Sequence, residues 1–327
     1  GRPTLAECLH DWLDGYVRAH CSQRPAEGSR SMAAGHLIPA LGPIQLKQLQ
    51  PRAIQAYYGK AVAKLSPRTV AKHHRLLFQA LKYAVRQGYL GRNPCELVDP
   101  PSWKGKTMRT LTPGEVGMLL EAAEGNHYYP VFYTAVSSGL RQSELLGLRW
   151  RDIDLDMLSI SVNRTLYKRR GVCVFNEPKT AHSRRLVAMT PKLASYLRGY
   201  RAHCEALSRE LGQTLSLDDL VFPSVRDKPL DPSVLIHNFT RVARKAGLDG
   251  VRFHDLRHTF ASLMLLRGAK PKVISEALGH GSVSFTMDVY SHIIEGMQSE
   301  AMALLDGVLP DGVVRNSVVK MSLFPDD

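Results

Sequence analysis

The 327-residue sequence predicts a mainly α fold with a small antiparallel β-sheet, arranged as two domains. Three observations lead there. The chain is long for one hydrophobic core. Most of it repeats apolar residues at three and four between caps and glycine stops, the spacing of buried helix stripes. Only three short runs, LSISVNRTLYKR, GVCVFNEP and RRLVAM, replace that spacing with alternation, which reads as three antiparallel strands. A helical domain is expected over 1–100, a basic linker over 101–110, a second domain over 111–308 and a tail over 309–327.

In chain order, Leu5, Leu9, Trp12, Leu13, Tyr16 and Val17 give an opening helix its buried stripe. CSQRPAEGSR reads as a polar loop, and HLIPALGPIQLKQL, with two prolines and a glycine, as a turn-rich connection into a helix beginning near Pro51. SPRTVAKHHRLLFQALKYAVRQG is the clearest helix: Ser66 caps it, Pro67 takes the first turn and Gly88 stops it. Val70, His74, Leu77, Phe78, Leu81 and Val85 point one way, and Arg68, Lys72 and Arg75 another. DPPSWKGKTMRT has the prolines, glycine and cations of a linker lying against a polyanion, with Lys104 and Lys106 among its contacts.

The second domain opens with a capping box, Thr112 to Glu115. A helix holding YYPVFYTAVSSG ends at Gly139, and a short helix follows with Arg141 at its start, a cation at the wrong end of the dipole unless an anion accompanies it. Lys179 sits on the turn between the second and third strands. PKLASYLRGYRAHCEALSREL and DPSVLIHNFTRVARKAG are further helices, the latter capped by Asp231 and bearing Arg241, Arg244 and Lys245. In HDLRHTFASLMLL the stripe is Leu256, Phe260, Leu263 and Met264, with His254 and Arg257 on one nearby face. Val273, Ile274, Ala277 and Leu278 mark a second short helix that Gly279 ends, which leaves His280 just past a helix terminus. SVSFTMDVYSHII then carries Tyr290.

Forty-three Lys and Arg against thirty Asp and Glu give a net charge of +13 and point to a polyanionic partner. Residues 28–95 hold eleven basic side chains and no acidic one, where a merely soluble surface would mix signs. That is the electrostatic footprint of a nucleic-acid face. Five scattered cysteines without a C-x-x-C pair argue for a reducing compartment. With no apolar run near the roughly 18 to 20 residues of a membrane span and no signal-peptide pattern, a soluble, cytoplasmic protein is expected.

In order, the second domain offers Arg141, Lys179, His254, Arg257, His280 and Tyr290. A phenol can store a phosphodiester as a covalent ester, and planar cations can clamp the extra charge of the phosphorane. SSGLRQSELLGLRW, the Lys179 hairpin, HDLRHT, LGH and the final Tyr290 resemble the tyrosine recombinase (phage integrase) family over roughly 111–306, and GHGSVSFTMDVYSHI most resembles integrases of temperate phages and integrative conjugative elements. The first hundred residues look like the helical core-binding domain of that family.

The resemblance implies a core-binding domain and a mixed α/β catalytic domain that clamp DNA. It also implies a 3′-phosphotyrosyl intermediate made by Tyr290, no cofactor and no metal, and four protomers on two DNA sites with the tail as an exchange element. Accessory DNA-bending or directionality factors would be further partners. Glu144 would support Arg141 or His254. A metal nuclease could use His254 and His258, four apart, but Asp255 stands where such a pair expects Glu and no third ligand cluster is visible. A regulator that only binds DNA would have no use for the set, and a type IB topoisomerase would share the chemistry but relax one duplex instead of joining two.

Overall fold

The computed structural model describes residues 3–21, 23–103, 108–169, 171–176, 185–224 and 228–279. The chain divides into two compact units, Gly1–Lys106 and Thr107–Asp327.

In the first unit, a capping box of Thr4 and Glu7 starts α1 (Leu5–Trp12), which runs through a π turn (Leu13–Val17) into α2 (Arg18–His20). Leu5, Leu9, Trp12, Leu13 and Val17 are buried as expected, whereas Tyr16 stays exposed and stacks on His20. CSQRPAEGSR is not a loop. Most of it forms α3 (Gln23–Met32), which continues by a second π turn (Ala33–Leu37) into α4 (Ile38–Leu41). Tertiary contact overrides its weak propensity. Arg30 reaches back to the Asp14 carboxylate at 2.6 Å and the Leu13 carbonyl at 3.2 Å, while Ala26 and Met32 pack on the core. A 3-10 turn (Leu46–Gln48) leads to α5 (Pro51–Ala61) and α6 (Pro67–Arg86), the latter capped by Ser66.

The buried face of α6 is Val70, His73, Leu76, Leu77, Ala80, Leu81 and Ala84, turned about one residue from the expected stripe; His74, Phe78 and Val85 are half-buried. Two hydrogen bonds explain the turn, Tyr57 Oη with His73 Nδ1 at 2.7 Å and Tyr58 Oη with His74 Nδ1 at 2.9 Å. They bring both imidazoles toward α5.

The second unit begins with the expected Thr112–Glu115 capping box and α7 (Pro113–Ala122), then α8 (Tyr129–Ser138) and the one-turn α9 (Gln142–Leu145). Among the described residues the alternating runs give four strands, which with a two-residue strand before them form two sheets, not three strands in one. β1 (Ile153–Asp154), β2 (Ser159–Val162) and β5 (Arg185–Ala188) form one antiparallel sheet in the order β1-β2-β5, and β3 (Thr165–Arg169) pairs with β4 (Val172–Asn176) in the other. LSISVNRTLYKR breaks at Asn163 and Arg164 because both are tied away from a ladder. Asn163 donates to buried Asp152 at 3.0 Å, and Arg164 donates to the Gly147 carbonyl at 2.6 Å. A Cβ on Gly147 would stand 2.9 Å from the Arg164 carbonyl oxygen, so that crossing needs glycine.

α10 (Pro191–Glu210), α11 (Pro232–Lys245), α12 (Asp255–Leu266) and α13 (Pro271–Leu278) complete the described residues. Phe132, Phe239 and Phe253 meet at the centre of the core, with ring centroids 5.4 to 6.2 Å apart. α12 does not present the expected stripe. Phe260, Leu263 and Met264 are half-buried, while Asp255, Arg257, His258, Thr259 and Ser262 are buried beside Leu256, Ala261 and Leu265. In α13, Val273 is exposed and Ile274 and Leu278 are buried. No described helix is long and apolar enough to cross a membrane.

Gly139 ends α8 at φ 64°, and a Cβ there would meet the Phe260 ring at 2.4 Å. Gly139→Ala should therefore cost about 2 kcal/mol or more through backbone strain and overpacking, whereas Gly117→Ala, mid-helix in α7 with open space around it, should gain roughly 0.5–1 kcal/mol. Urea unfolding of the two variants checks the opposite signs.

Candidate active site

The end of α8, the one turn of α9, the start of α12 and the end of α13 converge on one cluster. The left-handed turn at Gly139 brings the chain to Arg141, which caps α9, and Glu144 lies three residues on. Arg141 donates from its backbone N to Glu144 Oε2 at 2.8 Å and from its guanidinium to Glu144 Oε1 at 2.8 Å and to the Gly279 carbonyl at 2.9 Å. The anion that a cation at that helix start requires is Glu144. Arg257, buried on α12, donates to the carbonyls of Gly139 at 2.8 Å and of Leu278. The two guanidinium groups, 116 residues apart in sequence, thus cap neighbouring carbonyls at the end of α13.

A third arginine joins them that the sequence reasoning missed. Arg185, first residue of β5, donates from both terminal nitrogens to the two Glu144 oxygens at 2.8 Å each and from Nε to the Ala277 carbonyl at 2.8 Å. The signal was available: with Val187 inward, period-two alternation turns Arg185 inward as well. Burial works to raise the pKa of Glu144, but the Arg185 hydrogen bonds and charge, followed by Arg141, prevail and bring it down to about 2.

His254 precedes α12 and meets His258 edge to face, with ring centroids 4.9 Å apart. Desolvation, and after it the Arg257 charge, lowers the His254 pKa below its usual 6.5, although the side chain keeps an accessible edge; Arg141 adds to the effect. His258, considered in the sequence only as half of a metal pair, is buried and brought down to about 4 by desolvation and then by His254. Both rings are thus held neutral near pH 7. Of the expected set, Arg141, Glu144, His254 and Arg257 are together. Lys179, His280 and Tyr290 lie outside the described residues, and so do Lys104 and Lys106. Among the described residues, no group of three or more His, Cys, Asp or Glu side chains is arranged to hold a metal.

Arg68, Lys72 and Arg75 are exposed along one face of α6, and the Arg68 guanidinium lies 4.8 Å over the Trp103 ring. On α11, Arg241 donates to Asn238 at 2.8 Å, Arg244 pairs with Asp249 at 3.6 Å and Lys245 donates to the Ala122 carbonyl at 3.3 Å, all three exposed.

The pattern of the Phage integrase family matches residues 109–296. A XerC-like tyrosine recombinase of Caldanaerobacter subterraneus subsp. tengcongensis is 30% identical over 93% of this chain and 83% of its own length. The ICEBs1 integrase of Bacillus subtilis is 32% identical over 75% of this chain and 67% of its own. Among solved structures, a Tn1549 transposon integrase in complex with transposon right end DNA superposes with a TM-score of 0.75 at 20% identity, covering 91% of this chain and 99% of that one.

Because the folded-state pKa of Glu144 lies below its ordinary 4.5, the stability it contributes is fully present above that value and is lost as pH falls toward about 2. Glu144→Gln should flatten that acid limb and, by leaving Arg185 buried without its anion, cost about 3–5 kcal/mol at neutral pH. Chemical unfolding of both proteins between these pH values and neutrality measures it.

Proposed function

The chain belongs to the phage integrase family, and from that premise we propose that it cuts and rejoins DNA at specific sites through a covalent phosphotyrosyl intermediate, integrating or excising a mobile element. The observation that carries this reading is the pairing of Arg141 and Arg257 at the end of α13, one residue before His280.

The Tyr290 hydroxyl is the nucleophile. Its oxygen bonds to the scissile phosphorus and gives up its proton while the bond to the 5′ oxygen breaks; the leaving 5′ oxygen takes a proton from Lys179, so the products are a 3′-phosphotyrosyl ester and a 5′ hydroxyl. The ester conserves the phosphodiester for reversal by another 5′ hydroxyl, so the strand is rejoined without hydrolysis. Arg141, 39% accessible at its side chain, and Arg257 clamp the non-bridging oxygens, and His280 donates a further hydrogen bond to them. His254, held neutral, orients the phenol or takes its proton, and Glu144 aims Arg141. The cations and the hydrogen-bond donors of the chain do the work that a metal does elsewhere, so no cofactor enters.

Both units contact the duplex. Arg68, Lys72, Arg75, Lys104 and Lys106 of the first unit, and Arg241, Arg244 and Lys245 of the second, are assigned to phosphates. Joining two sites takes four protomers, with residues 309–327 as an exchange element and DNA-bending or directionality factors as further partners. The nucleoid of a bacterial cytoplasm is where such a substrate lies.

On a nicked suicide substrate carrying the element ends, the wild-type chain should form a covalent adduct that resists chelators, and Tyr290→Phe should form none. Lys179→Ala should cleave slowly and be restored by a 5′-thiolate leaving group. Adduct bands on a denaturing gel decide both. Because the His254 pKa is lowered from 6.5, the acid-side fall in kcat/KM for cleavage should lie below pH 6.5, where an ordinary imidazole is already protonated; a limb at or above that value would remove His254 as the base.

A further inference from the structure

Arg185 takes no part in the chemistry above, yet it touches two of the chain segments from which that chemistry is assembled, α9 and the end of α13. β5 alternates sharply, Leu186 being 67% exposed and Val187 1%, so the side chain of Arg185 turns inward on the Val187 face. An inward cation must meet an anion or be expelled. It meets Glu144 through two parallel hydrogen bonds, with only 8% of the Arg185 side chain and 5% of the Glu144 side chain accessible. Its Nε then takes the Ala277 carbonyl, one of those a helix end leaves unpaired. The same side chain lies so close to Gly279 that a Cβ there would be 3.0 Å from its nitrogen and 3.1 Å from Cδ and Cζ.

Arg185, Arg257 and Arg141 therefore hold the successive carbonyls of Ala277, Leu278 and Gly279, at the point where the chain passes to His280. Glu144 is held from both sides, by Arg141 and by Arg185. Upstream of Arg185 in sequence, six residues away, is Lys179. All three kinds of nitrogen in the Arg185 guanidinium are engaged by the protein, and its burial keeps it from a phosphate. For stability alone a buried ion pair is a weak device, since apolar residues of similar volume often do as well or better. What a two-pronged guanidinium adds is direction, because it fixes both carboxylate oxygens in its own plane.

We propose that Arg185 is a positioning residue for strand cleavage: through Glu144 it aims Arg141 at the scissile phosphate, and through the Ala277 carbonyl it fixes the helix end from which His280 issues. This rests on the cleavage reading given above. A lysine at 185 keeps the charge and reaches one acceptor, losing the fork. The defect of such a variant lies in the chemical step and not in DNA affinity.

The test is single-turnover adduct formation on the nicked suicide substrate, with DNA affinity and thermal melting measured on the same samples. Wild type, Arg185→Lys, Arg185→Met, Glu144→Gln and the Arg185→Lys/Glu144→Gln double variant are compared. Arg185→Lys should lower the rate constant at saturating DNA roughly a hundredfold, the scale on which a misplaced catalytic group is felt, while DNA affinity and final adduct amplitude are kept. The double variant should be no slower than the slower single one, because the two side chains act as one unit. Should Arg185→Met fail to fold, Arg185→Lys and Glu144→Gln carry the comparison. A wild-type rate constant for Arg185→Lys, or a loss confined to melting temperature and amplitude, overturns the proposal while leaving the cleavage reading intact. No adduct from the wild-type chain overturns both.

Discussion

The second unit depends on one buried carboxylate. Glu144 lies between Arg141 and Arg185, and without it two guanidinium groups would face each other in a medium that screens charge poorly. The end of α13 completes the balance. Its last carbonyls carry the negative end of the helix dipole, and three arginines bond to three of them in succession. The cluster of positive charge that a phosphate needs is therefore assembled before any phosphate arrives, with the reorganisation cost already met by folding.

How much of this could be read from residues alone varied with the kind of signal. Helices with a cap, a proline and a glycine stop came out nearly to the residue, as at Thr112 and Glu115, at Ser66, and at Gly139 and Gly279. Alternation was less informative, because it records which way side chains point and not which strand lies beside which. Hence the run from Leu158 to Arg169 looked like one strand, when the pull of Asp152 and Gly147 on Asn163 and Arg164 divides it between two sheets. α3 was missed because its residues favour turns and only Asp14, Leu13 and the core behind them make a helix the better solution.

The candidate site was legible as a list and not as a geometry. Arg141, Glu144, His254 and Arg257 were named from their order along the chain, and they do come together. Arg185 was passed over because its meaning lies in partners 41 and 92 residues away, Glu144 and Ala277, which no local pattern reveals. The buried face of α12 deceived for a related reason. A stripe of large apolar residues normally marks the inside of a helix, but here polar groups take the inside, several of them held by contacts such as Arg252 on Asp255 and the Leu111 backbone N on Thr259.

The three tryptophans of the chain occupy very different surroundings. Trp12 and Trp150 are shut into the cores of their respective units, while Trp103 is 44% exposed and wears the Arg68 guanidinium as a lid. Trp150 also has a guanidinium over its ring, that of Arg201, but only the Trp103 indole meets solvent as well, so any polyanion that draws Arg68 away changes both its exposure and its neighbouring charge, and with them its emission. The protein carries a built-in optical label on the basic face of α6, available without attaching a dye.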